Sequence, residues 1–455
     1  MNATHTINSL RFKLFIVLFL YVFAFYFKGI STSIILGIVL WGTTLIIPSF
    51  WKQCMSVLNY PLIKNIIKVW SLISCFAILY PIICFTFDFS FAKLVLTQAI
   101  HLFAAVPVFT WILSNNISSE EIEIVFIWIF VIQTIIQVIV YLSPSLGTAI
   151  LEYNHFDPES VIGIGSGVRG KALSAATTYH LTMAYGIAFI LYLKNYYYKP
   201  VTIFTIVIGL LLFVGIFFAG RTGFVGCGIG LLGWFFDRRI TSKIKWKNIL
   251  KVLFYTIMII IGMWGILSAL YPDIVEMISN QILPYAFEFI YSLDNSGQME
   301  TASTNRLKEM WSTDITFFEL IVGTGNYTNS DGSFYMHVDP GILRHMLFMG
   351  IIGYALLVYY QFVIFPINKF KEKKNRYYSF LIILFLIIME FKCINLGVNK
   401  FAFSITMLLS FSYLYLPKTP ISIKITANEK NNACLRDTSR GNKDGSACQG
   451  IPETS

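Results

Sequence analysis

Long apolar runs separated by short polar connections dominate this chain of 455 residues. Most of these runs have about 16 to 24 residues, which is the length at which a helix crosses the hydrocarbon layer of a bilayer. They lie at 12–28, 30–50, 66–86, 91–113, 122–143, 178–194, 200–219, 222–236, 252–270, 341–365, 379–396 and 400–416. The pattern therefore predicts an all-α polytopic membrane protein with about twelve transmembrane helices.

Two connections are too long to be turns, and they cover residues 144–177 and 271–340. Connections of this length are usually functional or disordered. The second one carries Trp311, Phe317 and Phe318 in a helix-like segment, so we expect it to be a partly helical cap. Residues 417–455 are polar and aperiodic, which predicts a disordered tail after a membrane domain that spans residues 1–416.

Composition also indicates a membrane protein and argues against a soluble domain or a nucleic-acid-binding protein. Hydrophobic residues make up 56% of the chain and charged residues 13%, unlike a soluble domain. The net charge of +10 does not predict a nucleic-acid partner, because the basic residues form short clusters between apolar runs. Most of them fall on the side of the N-terminus, so that side and the tail are predicted to be cytoplasmic, and both long loops face outward. The seven cysteines show neither disulfide nor zinc spacing, and no metal or cofactor is expected.

Arginines are the first candidates for chemistry. Arg169 in GSGVRGKALS, Arg221 in FFAGRTGFVG, Arg306 in ASTNRLKEMW and Arg344 in DPGILRHMLFMGIIG all fall on outer segments. Guanidinium groups bind phosphate bidentately and stay charged. The alternatives are that Arg221 only reaches the interface from a helix end, that Arg306 pairs with Glu309 and that Arg169 is an exposed loop charge. Arg344 lies in the first turns of an apolar span, so it must face protein, water or a ligand.

The second candidate is the segment GTGNYTNSDGSFYMHVDPG, which leads into the tenth predicted helix. Asp339 and Pro340 are typical of a helix start, so N-capping alone could account for Asp339. The functional alternative is that Asp339, His337 or Asp331 accepts a proton from an attacking sugar hydroxyl. Asp88, in a short outer turn, is predicted to be isolated.

These motifs together resemble the bacterial O-antigen polymerases, within the broader group that includes the O-antigen ligases. The resemblance is carried by AGRTGFVG, by NRLKEMW followed by IVGTGNY, and by DPGILRHMLFMGIIG, and it covers roughly residues 160–365. The ligases usually carry a histidine eleven residues before the first glycine of the closing GxxG. Counting back from Gly350 gives Asp339 instead, which favours a polymerase over a ligase.

The resemblance implies a glycosyltransferase of lipopolysaccharide O-antigen biosynthesis, with its active site on the periplasmic face of the bacterial inner membrane. A growing glycan would leave one undecaprenyl diphosphate carrier and join a repeat unit held on another, without a cofactor. Asp339 or His337 would be catalytic, and the diphosphates would be bound by Arg169, Arg221, Arg306 and Arg344. The expected partners are the undecaprenyl-diphosphate-linked oligosaccharides, membrane lipid and a chain-length regulator protein. The alternatives are an O-antigen ligase and a flippase for the same lipid-linked units, which would carry its charges in a central cavity.

Overall fold

Helices form most of the structure, which is a computed structural model. It describes residues 3–27, 29–143, 145–147, 149–150, 173–175, 179–196, 202–237, 246–286, 288, 293 and 301–418. Arg169, most of the first predicted outer loop and nearly all of the predicted tail lie outside the described residues.

The helices of the N-terminal half follow the predicted apolar runs. They are α1 (Ala3–Phe23), α2 (Thr32–Ile46), α3 (Pro48–Leu58), α4 (Pro61–Ile83), α5 (Ser90–Ser114), α6 (Ser119–Leu142), α7 (Tyr179–Tyr196), α8 (Ile203–Ala219) and α9 (Gly223–Phe236). Between α1 and α2 a short antiparallel hairpin pairs β1 (Tyr26–Phe27) with β2 (Ile30–Ser31). Within the predicted span 30–50, α2 ends at Ile46, because Pro48 lacks an N–H and restricts the residue before it. Helix α3 begins at Pro48 and lies mostly in the connection that follows the predicted span.

The remaining helices form the second predicted outer loop and the last spans. They are α10 (Trp246–Leu270), α11 (Pro272–Met277), α12 (Leu283–Ala286), α13 (Ala302–Trp311), α14 (Phe317–Val322), α15 (Gly341–Ile364), α16 (Lys373–Glu390) and α17 (Lys400–Tyr415). One π-helical turn covers Ile278–Ile282, and two 3-10 turns cover Tyr335–His337 and Ile367–Lys369. The described part of the connection 271–340 is therefore partly helical, and its position on the outer side stays a prediction.

Four helical segments of the described chain are long and apolar enough to cross a membrane. They are Pro61–Ile83, Ser90–Ser114, Ser119–Leu142 and Gly341–Lys369, and several shorter apolar helices accompany them. Helix α6 shows how the sequence sets such a boundary, since the Ser118 hydroxyl accepts the Glu121 N–H and the Glu121 carboxylate accepts the Ser118 N–H. The structure thus supports a helical, membrane-embedded protein, and the number of twelve spans stays a prediction.

Buried polar contacts join the ends of α6, α7 and α17. The Lys194 ammonium lies 2.6 Å from a Glu123 carboxylate oxygen and 3.0 Å from the Tyr413 hydroxyl. Asn195 donates to the other Glu123 oxygen. Both charged side chains are only 3% exposed. Because a buried charge is costly unless it is paired and hydrogen-bonded, this network fixes the register of the three helices.

Helices α7 and α9 pack at backbone contact through glycines of the run AGRTGFVG. A Cβ on Gly226 would lie 2.8 Å from the Gly186 Cα, and one on Gly223 would lie 2.9 Å from the Thr182 carbonyl oxygen. The Thr182 side chain also accepts the Gly223 N–H at 2.9 Å. Small residues at such crossings allow the close approach that stabilises helix pairs in membranes.

We expect Gly226→Ala to lower the thermal unfolding temperature of the detergent-solubilised protein, because the added methyl group would force α7 and α9 apart. Overpacking of this kind costs about 1–3 kcal/mol. Gly228→Ala on the same helix is the matched control, since a Cβ there meets no atom within 4 Å. Equal unfolding temperatures for the two variants would contradict the packing argument.

Candidate functional site

Helix α15 is broken in its N-terminal part. Met349 has φ −127° and ψ 15°, and Gly350 has φ 68° and ψ −179°, so neither residue is helical. Residues 341–348 therefore form a separate half-helix. A broken helix is tolerated in a membrane protein only where its freed backbone groups find partners.

The segment Gly323–Gly325 supplies those partners. The Thr324 N–H donates to the Leu347 carbonyl at 2.6 Å, and the Gly325 N–H donates to the Phe348 carbonyl at 2.9 Å. Gly323 and Gly325 have φ values of 88° and 74°, which glycine adopts most easily. The motif GTG therefore donates hydrogen bonds to the carbonyl groups that the break leaves without helical partners. These bonds hold the connection 271–340 against the half-helix.

Asp88 anchors the same loop, so the prediction that it is isolated is wrong. Its Oδ2 accepts the backbone N–H groups of Tyr327 and Thr328 at 2.7 Å each and the Thr328 hydroxyl at 3.0 Å. Partial burial opposes ionisation, but hydrogen bonds from Ser90, Thr328 and Tyr327 lower the pKa of the carboxyl group. The ionised Asp88 therefore fixes the loop to the turn between α4 and α5.

Arg344 lies on the half-helix, and its guanidinium is held between two aromatic rings. The guanidinium carbon is 4.0 Å from the Tyr327 ring centroid and 3.4 Å from the Phe334 ring centroid. One Nη donates to the Tyr327 carbonyl at 3.4 Å. The residue is only 2% exposed, yet Nε and the other Nη have no hydrogen-bond partner among the described residues. The aromatic rings cover the faces of the guanidinium, and its unpaired N–H groups can donate hydrogen bonds to a planar or tetrahedral oxyanion.

Asp339 lies two residues before the half-helix and is half-buried. Pro340 occupies the N-cap position and no side chain caps the helix, so the capping account of Asp339 is wrong. Burial raises the pKa of the Asp339 carboxyl, and the positive charges of Arg306 and Arg344 act in the opposite direction. The structure thus brings three predicted site residues into one electrostatic cluster, with the carboxylate available for chemistry.

Arg306 stands on α13 and is exposed. In the described part of the chain it makes no ion pair with Glu309 within 4.0 Å, so the pairing alternative is not realised. Helix α13 approaches the half-helix through Met310, whose sulfur accepts the Asp339 N–H at 3.4 Å. The exposed Arg306 can therefore reach a ligand from solvent while its charge acts on Asp339.

His337, the other predicted catalytic residue, is exposed and has a positive φ of 55°. It acts electrostatically on Asp331, whose carboxylate accepts the Ser333 N–H at 2.8 Å within the same loop. Asp331 thus has a local structural role. Between the two predicted catalytic residues, the geometry favours Asp339.

Arg221 lies in the turn between α8 and α9 and forms an ion pair with Glu288 of the second outer loop, at 2.5 Å. Its side chain is 20% exposed. The turn is held by Thr182, whose hydroxyl donates to the Gly220 carbonyl. Arg221 therefore forms an ion pair with the connection 271–340, whereas the alternative of a simple interfacial anchor predicts no such contact.

Glu390 carries a buried carboxyl group that the sequence interpretation missed. One carboxylate oxygen accepts the Asn395 N–H at 2.7 Å, and the other lies 3.9 Å from the His345 Nε2. Glu390 and His345 are both 0% exposed. The signal was present, because Glu390 is a lone acidic residue in the apolar run LIILFLIIMEF and such residues are functional candidates in a membrane.

Within the described residues, no group of three or more His, Cys, Asp or Glu side chains is placed to hold a metal ion. The charged side chains that the candidate site brings together are Arg306, Arg344 and Asp339. No protein-family model, curated protein or solved structure matches this chain.

Proposed function

We propose that the protein is a membrane glycosyltransferase, and in particular an O-antigen polymerase that joins undecaprenyl-diphosphate-linked oligosaccharide repeat units. The observation that carries the proposal is the Arg344 guanidinium, buried between two rings with two donor nitrogens unpaired, beside Asp339 and Arg306. Two cations next to one carboxylate suit a reaction in which an anionic diphosphate leaves while a hydroxyl is deprotonated.

The proposed setting is the bacterial inner membrane, crossed about twelve times, with both long loops in the periplasm. In this orientation the half-helix of α15 and the second outer loop face the periplasm. The diphosphate of a lipid carrier would reach Arg344 at the outer boundary of the bilayer. A chain-length regulator protein would act together with this assembly.

In the proposed reaction, Arg344 and Arg306 bind the donor diphosphate, and Arg221 and Arg169 contribute on the neighbouring outer segments. Asp339 accepts the proton of the acceptor sugar hydroxyl as its oxygen attacks the anomeric carbon of the donor. The bond from that carbon to the diphosphate oxygen breaks, and the carrier diphosphate leaves with the electron pair. Positioned guanidinium groups stabilise the charge that develops on this leaving group.

The test is the glycan profile of a deletion strain, with lipid-linked intermediates extracted in parallel. An O-antigen polymerase predicts lipid A core that bears a single repeat unit and no ladder. Bare core would contradict the proposal and indicate the ligase or the flippase. Accumulation of lipid-linked units on the periplasmic side would then identify the ligase, and accumulation on the cytoplasmic side the flippase.

The pH dependence of polymerisation tests the role of Asp339. Burial raises its pKa, and Arg306 is one of two charges that oppose this rise. The carboxylate must be ionised to accept a proton, so activity is lost as the pH falls through this pKa. In Arg306→Gln the opposing charge is gone, and we expect the acid limb of the activity profile to move to higher pH in membrane vesicles.

The control for this shift is Lys308→Gln, which removes a positive charge from the same helix, because Lys308 is not one of the charges that act on Asp339. Its acid limb should coincide with that of the unsubstituted protein. An unmoved limb in Arg306→Gln, or an equal shift in both variants, would remove Asp339 from the proton transfer.

A further inference from the structure

Helix α14 presents a large apolar surface that no described residue covers. Phe317 is 77% exposed and Phe318 is 71% exposed, and Ile321 and Val322 are 41% and 42% exposed. Four exposed apolar side chains on one short helix are unfavourable in water. Such a patch is typical of a surface that binds protein or lipid.

The opposite side of the same helix is already packed. Leu320 and the preceding Ile315 contact a cluster formed by Val338, Leu343 and Leu347 of the half-helix and its approach. The first turn of α14 is closed by a capping box in which the Thr316 N–H donates to the Glu319 carboxylate at 2.8 Å. One face of α14 therefore packs against the protein, and the backbone groups of its first turn are hydrogen-bonded. Its other face is apolar and exposed.

Two contacts fix the level of α14 relative to the membrane-spanning helices. The Tyr80 hydroxyl donates to the Val322 carbonyl, and Tyr80 lies three residues before the end of α4 at Ile83. The C-terminus of α14 therefore lies within reach of a side chain from the last turn of that helix. Thr86, just beyond α4, donates to the Gly325 carbonyl at 2.7 Å, so the chain rises from this level toward the outside.

The outer end of α4 is itself apolar and exposed. Leu79, Ile82 and Ile83 are 50%, 41% and 68% exposed, and α4 is one of the segments that can cross a membrane. The Tyr80–Val322 contact brings the C-terminal end of α14 beside this exposed apolar end of α4. Lipid that surrounds this end of a membrane-spanning α4 would therefore lie close to α14 as well.

We propose that α14 is an interfacial helix whose Phe317, Phe318, Ile321 and Val322 side chains contact the hydrocarbon chains of bilayer lipids in the outer leaflet. The assignment to the outer leaflet and the link to Arg344 rest on the proposed function, whereas the contact with lipid does not require the proposed reaction. The chain runs from α14 directly into Gly323–Gly325, which seals the break below Arg344. The lipid contact thereby sets the height of the Arg344 site at the level of the lipid phosphates, where an anionic headgroup enters.

The experiment is a depth measurement by electron paramagnetic resonance on the full chain, with its seven native cysteines replaced. A nitroxide label is attached at Phe318→Cys, and the matched control label is attached at Asp331→Cys, which is exposed in the same loop. The protein is placed in vesicles of phosphatidylethanolamine and phosphatidylglycerol. Collisions with oxygen report hydrocarbon, and collisions with a water-soluble nickel complex report water.

We expect the ratio of oxygen to nickel accessibility to be several-fold higher at position 318 than at position 331. Phe317→Cys should give the same result and replaces Phe318→Cys if that variant does not fold. Three results would overturn the proposal. The first is nickel accessibility at positions 317 and 318 equal to that at position 331, and the second is dipolar broadening of the spectrum, which reports a second copy of the chain. The third is a lipid-like signal at position 318 that appears only after undecaprenyl phosphate is added. The last result would assign the surface to the carrier chain instead of the bilayer.

Discussion

Replacement of Arg344 by alanine is expected to abolish the O-antigen ladder while the protein remains in the membrane at its usual level. The guanidinium is the most enclosed cation of the candidate site, and its two unpaired nitrogens are the donors that a diphosphate would engage. Loss of one preorganised donor to developing charge typically costs a factor of about 100 to 1,000 in rate. Polymer formation in isolated membrane vesicles would measure the loss directly.

Arg344→Lys should rescue activity poorly. Lysine keeps the positive charge but loses the planar group that stacks between the Tyr327 and Phe334 rings and offers two parallel donors. Arg376→Ala serves as the control for removal of an arginine, because Arg376 is exposed on α16. Full activity in both Arg344 variants would show that this arginine does not bind the substrate, and equal loss in Arg376→Ala would indicate a general defect.

The helices were largely predictable from sequence, because each buries backbone polarity in its own hydrogen bonds and needs only an apolar run of sufficient length. The division at Pro48 follows from proline chemistry and could have been read from the sequence. The break at Gly350 could not be predicted from the sequence. Hydropathy is continuous across it, and the break is set by the Gly323–Gly325 segment, which approaches from about 25 residues upstream.

The same distinction applies to the candidate site. Arg344 was predictable, because a permanent charge within an apolar run needs a partner or a ligand. The role of Asp88 depends on backbone N–H groups about 240 residues away, so no local pattern could indicate it. The N-cap expectation for Asp339 was wrong by one residue, since the helix begins at Gly341, and this small difference frees the carboxylate.

Replacement of Gly350 by alanine is expected to have the second large effect. Its φ of 68° and ψ of −179° lie in a region essentially restricted to glycine, and another residue there costs about 1–3 kcal/mol. A Cβ would also meet the backbone of α14, 2.6 Å from the Val322 carbonyl oxygen. We expect the Gly323–Gly325 segment to detach from the half-helix, so that the outer loop becomes sensitive to protease and the ladder is lost.

Gly332→Ala separates the two causes of this effect, which are the backbone strain of a positive φ and the close contact of a Cβ with α14. Gly332 also has a positive φ, of 80°, and lies in the same outer loop, but a Cβ there meets no atom within 4 Å. This variant carries the conformational cost alone and should keep both the ladder and the protease resistance of the loop. If the two variants behave alike, backbone strain accounts for the loss. If only Gly350→Ala is cleaved and inactive, close contact between α14 and the broken helix is what places Arg344 in the site.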